Sequence, residues 1–125
     1  MEKEVTMDDF TRAYIQAALW SSSDDDDEPL DARFDESDID AATMDRIKAD
    51  CLVFQGSGLV QHEIAQDASG AGHDFWLTRN GHGAGFWDGD WPEPAGDILT
   101  KRAKAFGEYS LYVGDDGKIY GMEGS

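Results

Sequence analysis

Residues 73–87 read His73-Asp74-Phe75-Trp76-Leu77-Thr78-Arg79-Asn80-Gly81-His82-Gly83-Ala84-Gly85-Phe86-Trp87, and how this stretch folds decides the architecture. Polar and apolar residues alternate on both sides of Asn80-Gly81, a dipeptide favoured in type I′ turns because both positions tolerate a positive φ. The pattern predicts a hairpin, with one strand from His73 to Arg79 and a returning strand from His82 to Trp87. In that register Arg79 opposes His82, Leu77 opposes Ala84 and Phe75 opposes Phe86. Side chains alternate faces along a strand, so Phe75, Leu77, Ala84 and Phe86 share one face. Trp76 falls on the other face, with Trp87 nearby.

Upstream of the hairpin the period is helical. Asp8 or Asp9 can cap a helix reaching Trp20, with Phe10, Tyr14, Ala17 and Ala18 along one side. Ser21-Ser22-Ser23 opens an acidic loop, Asp24-Asp25-Asp26-Asp27-Glu28, closed by Pro29. A second helix is expected from Ser37 or Asp40, with Met44, Ile47, Cys51 and Phe54 as its apolar stripe. Gly56-Ser57-Gly58 interrupts it, and Leu59 to Gln66 reads as a further short helix. Downstream, Asp97 is expected to cap a helix running to about Phe106 and ended by Gly107. Tyr109–Val113 and Lys118–Tyr120 form a last hairpin around Gly114-Asp115-Asp116-Gly117. The order predicts one α+β domain over residues 1–125, with N-terminal helices packed on an antiparallel sheet of two hairpins. One further helix lies between the hairpins, and residues 21–36 form the acidic loop.

Charge limits what such a domain can do. The 125 residues carry 27 acids against 10 Lys and Arg, a net charge of -17. Residues 1–50 hold 16 of the acids and 5 of the bases, so the front of the chain is the more negative part. Such a surface is repelled by nucleic acid and by anionic lipid, which argues against direct contact with either. No apolar run approaches the roughly 18 residues that cross a bilayer. Met1-Glu2-Lys3-Glu4 has neither the basic start nor the apolar run of a signal peptide. The single cysteine, Cys51, cannot form an internal disulfide, and a reducing cytoplasm is the expected compartment.

Asp24 to Glu28 read most simply as a solvated loop. Asp31, Asp35, Glu36 and Asp38 extend the negative field, and a field of that length would steer a basic protein groove onto the chain. The run lacks the Asp-x-Asp-x-Asp-Gly spacing of a calcium loop, so no metal is assigned. In the expected register His73 and His82 stand at opposite ends of the hairpin and cannot share a metal. Gly81 to Gly85 lacks the Gly-Lys-Ser/Thr ending of a phosphate loop. Cys51 lies on an apolar stripe without a partner histidine. No catalytic residue and no cofactor is therefore assigned. Trp76, Trp87 and Trp91 fall within sixteen residues. They are either core under helices or apolar anchors of a protein interface.

The segment from His73 to Trp87, extended to Asp88, resembles one found in small acidic proteins of phage genomes. Leu99-Thr100, Ala105-Phe106-Gly107-Glu108, Leu111 to Tyr120 and the opening Phe10 to Trp20 fit the same group. The resemblance implies a phage or mobile-element setting and no particular activity. Together with the charge it leads to a first expectation: an accessory protein, not an enzyme, that binds and inhibits a host nucleic-acid-binding protein as a DNA mimic. A DNA glycosylase, a restriction or CRISPR effector and a nucleoid or transcription factor all fit that description. Asp24, Asp25, Asp26, Asp27, Glu28, Asp31, Asp35, Glu36 and Asp38 would stand in for phosphates, with Trp76, Trp87 and Trp91 as anchors. Two other readings stay open. One is a small enzyme or ligand-binding domain using His73, Arg79, His82 and Asp88. The other is a self-associating assembly protein.

Overall fold

A computed structural model describes residues 8–23, 27–56, 61–81, 91 and 94–123. Among them run five α-helices and one two-stranded antiparallel sheet, so the domain is α+β with helices packed on a small sheet. The helices are α1 (Asp9–Ser21), α2 (Ala41–Gln55), α3 (Gln61–Gln66), α4 (Ala68–Arg79) and α5 (Ala95–Ala105). The strands are β1 (Tyr109–Val113) and β2 (Ile119–Glu123).

Several elements form where local chemistry demands. Asp8 caps α1 by accepting from the Thr11 amide at 2.9 Å. Asp40 caps α2 by accepting from the amides of Ala42 and Thr43. The α2 stripe buries Ile47, Cys51 and Phe54, with Met44 half-buried. Helix α5 begins at Ala95, two residues before the expected cap. Asp97 sits inside its first turn and pairs with Lys101, one turn on. The last hairpin pairs Tyr112 with Tyr120 and turns through Gly117, whose φ of 82° suits glycine.

The first expected hairpin loses its leading strand. His73 to Arg79 is the second half of α4, not a strand, and the expected return strand from His82 to Trp87 lies outside the described residues. The helix starts at Asp67, whose carboxylate accepts from the Gly70 amide. Asn80-Gly81 is its C-terminal stop: Asn80 donates to the Trp76 carbonyl, and Gly81 takes the left-handed φ of 72°. The same dipeptide serves a hairpin or a helix end, because both need a residue at positive φ.

Tertiary packing chose the helix. Phe75, Trp76, Leu77, Thr78 and Arg79 are all buried, so no polar face survives to show a 3.6-residue period. Helix α4 lies hard against α1. A Cβ on Gly72 would stand 1.9 Å from the Phe10 carbonyl oxygen, so only glycine allows this approach. Phe54 stacks on Phe75 at 4.2 Å between ring centroids, and Phe10, Tyr14 and Phe106 close around the pair.

One charge lies inside this cluster. Arg79 Nη1 meets Asp50 Oδ2 and the Tyr14 hydroxyl, both at 3.0 Å. Its Nε donates to the Gly107 carbonyl at 2.8 Å and Nη2 to that of Phe106 at 3.2 Å. The rings of Phe75, Phe106 and Tyr109 surround the guanidinium. Arg79 thus joins α4 to α1, α2, the end of α5 and β1.

Candidate functional site

The acidic arm is built on α1. The chain leaves that helix at Ser22, and Ser23 bridges Pro29 in antiparallel fashion. The Leu30 amide donates to the Ser22 carbonyl at 2.9 Å, and the Leu30 side chain is fully buried. Asp27 and Glu28 are exposed inside this pinched loop, and Asp27 has a left-handed φ of 66°. Asp24, Asp25 and Asp26 lie outside the described residues.

Two 3-10 turns follow, over Leu30–Ala32 and Glu36–Asp38. The second is closed reciprocally. Asp35 accepts from the amide and hydroxyl of Ser37, while the Asp35 amide donates to Asp38 Oδ2. The Ser37 hydroxyl and amide hold the Asp35 carboxyl below its ordinary pKa, so it stays charged at neutral pH.

These turns and the outer face of α1 enclose an open cleft of about 530 Å³. Asp31, Asp35, Glu36 and Arg12 line it, and Phe34, Ile15 and Leu19 supply its apolar part. Arg12, Ile15, Gln16 and Leu19 share this face because they recur at helical spacing. Three of the nine expected acids therefore meet at one place. Asp38 is spent on closing its turn and does not line the cleft. Phe34, the cleft's aromatic, was not among the expected anchors, although it is the one aromatic between Asp31 and Asp38.

The expected anchors lie elsewhere. Trp76 is 2% exposed and donates through Nε1 to the Ser21 hydroxyl at 2.7 Å. Trp91 is 9% exposed, and its Nε1 donates to Asp74 at 2.8 Å. Both are core residues that have found a polar partner for the indole N–H, so neither projects from the surface as an anchor. Trp87 lies outside the described residues. Among the described residues the tryptophan that stands in solvent is Trp20, 58% exposed beside the His73 ring.

Of the four residues of the enzyme reading, Arg79 and His73 are described. The Arg79 side chain has no solvent contact, whereas His73 is largely exposed next to Asp74. His82, Asp88 and the side chain of His62 lie outside the described residues. Among the described residues no three His, Cys, Asp or Glu side chains are placed to hold a metal. Burial pushes the Cys51 thiol well above its ordinary pKa, which leaves it unreactive. No described helix is long and apolar enough to cross a membrane. No family model matches this chain, and no curated protein and no solved structure is significantly similar to it.

Proposed function

We propose that this chain is an accessory protein, of the phage or mobile-element setting implied by its central segment, that binds and inhibits a host nucleic-acid-binding protein. It acts without chemistry of its own, in the host cytoplasm, by presenting carboxylates where the partner expects phosphates. The observation that carries this reading is the cleft at α1. There Asp31, Asp35 and Glu36 are held by hydrogen-bonded turns in a chain of net charge -17.

Long-range charge would draw a basic groove to the acidic arm and fade with added salt. Acids fixed on turns are presented without the ordering cost that a loose loop carries. With Trp76 and Trp91 in the core, the apolar hold falls to Phe34, backed by Ile15 and Leu19.

The test is capture followed by competition. The immobilised protein should retain host proteins at low salt and release them to duplex DNA. A triple variant, Asp31→Asn, Asp35→Asn and Glu36→Gln, should retain at least about ten-fold less, since several charges near a groove act together on association. Captured proteins that duplex DNA fails to displace would remove the mimicry.

A further inference from the structure

The two edges of the small sheet differ. The Gly114 amide donates to the Lys118 carbonyl at 2.8 Å, which fixes the alternation of the ladder. Ser110 and Tyr112 turn their backbone groups towards β2, whereas Tyr109, Leu111 and Val113 turn theirs outward. On the β2 side two of the outward groups are taken. The Asp40 amide donates to the Ile119 carbonyl at 2.9 Å, and the Gly121 amide donates to the Thr43 hydroxyl at 3.1 Å.

On the β1 side the Tyr109 amide donates to Asn80 at 2.9 Å. The outward amides and carbonyls of Leu111 and Val113 have no partner among the described residues. Such an edge is a template for another extended chain.

The surroundings say which chain. Beside Leu111 the edge borders a cleft of about 280 Å³, lined by Ser21 to Ser23, Trp76 and Asn80. On the opposite face Tyr112 is 44% exposed, stacked on Tyr120 at the mouth of a cleft with Asp115 and Asp116. Tyr120 donates to Asp116 at 2.6 Å, a bond that lowers the Asp116 pKa and raises that of the phenol. Residues 107–123 hold Glu108, Asp115, Asp116 and Glu123 against one base, Lys118. An exposed ring flanked by carboxylates suits a cationic side chain. A second copy of the chain, itself at -17, would be repelled.

We infer that β1 is a docking edge for an extended basic segment of the protein partner, which joins the sheet as a third strand. It bonds to the backbone of Leu111 and Val113, turns small or apolar side chains towards the Trp76 cleft, and sets a Lys or Arg against Tyr112. This rests on the reading of the protein as a binder of a basic partner, and adds a contact that charge alone does not supply.

The probe is a capped Lys-Val-Lys-Val-Lys-Val peptide, titrated into the intact chain. Hydrogen exchange at the Leu111 and Val113 amides should slow by about ten-fold or more on binding. An analogue N-methylated at alternate residues keeps every charge but loses the strand's donors, and should bind at least about ten-fold more weakly. Tyr112→Ala, at an exposed position, should weaken the parent peptide by about two- to five-fold.

Equal binding of the two peptides would overturn the edge while leaving charge attraction intact. Binding of neither at low salt would overturn it too. So would sedimentation of the free chain as a dimer with those two amides already protected. Conversely, a paired edge with capture that duplex DNA cannot reverse would sink the mimicry and spare the docking strand.

Discussion

The Asp50 carboxylate sits under α4, held by Arg79 and Arg46, whereas the Asp35 carboxylate stands in solvent and is held by its own turn. Both are acids in a chain overloaded with acids, and their surroundings give them opposite work. Buried charge is tolerable only when paired and hydrogen-bonded. Arg79 meets that condition with donors to a carboxylate, a hydroxyl and two carbonyls. The acids at the α1 cleft reach solvent and lose little hydration. The teaching is that charge count says nothing about use until each carboxylate is placed.

Removing the buried cation should give the largest effect. Arg79→Ala leaves Asp50 with Arg46 alone and strips a donor from Tyr14 and from two carbonyls, so urea unfolding should show a loss of about 3–5 kcal/mol. A loss below about 1 kcal/mol would mean that the guanidinium does not hold the core together.

Gly72→Ala comes next. Its Cβ would press on the Phe10 carbonyl, forcing α1 and α4 apart, at a cost of about 1–3 kcal/mol in the same assay. Unchanged stability would show the two helices to be looser than this geometry.

Alkali tests the same core through its protons. Burial raises the pKa of Cys51 above its ordinary 9.0 and that of Tyr14 above its ordinary 10.0. The unfolded chain then releases protons that the folded chain keeps. Their contribution is complete below pH 9 and is lost as pH rises. Stability should fall by up to about 1.4 kcal/mol per pH unit for each group past its unfolded value. Cys51→Ala should remove the part that begins near pH 9 and leave the part due to Tyr14. A flat profile between pH 9 and 11 would contradict the burial of both groups.

The smallest structural effect belongs to the acidic arm. Asp31→Asn, Asp35→Asn and Glu36→Gln should each shift stability by less than about 0.5 kcal/mol, because all three side chains reach solvent and Asn can still cap the 36–38 turn. A larger change on thermal unfolding would return these acids to a structural role and erase the contrast with Asp50.

The sequence carried its helix ends well where a side chain caps its own backbone. Asp8, Asp40 and the α2 stripe are local facts, and so is the last hairpin, whose Gly-Asp-Asp-Gly turn admits few alternatives. It misled at residues 73–79 because the five successive residues 75–79 are all buried and show no polar face, and because Asn-Gly ends a helix as readily as it turns a hairpin. The acids at the cleft were visible as acids. Their gathering with Phe34 and Arg12 was not, since it depends on how two short turns fold back over α1.

Composition by itself set the net charge, because that follows from counting ionised groups. Only the tertiary structure decided which charges are spent inside and which remain for others. Arg79 and Trp76 became core because α4 closes on α1 where Gly72 meets Phe10, a contact between residues far apart in sequence that no local pattern encodes.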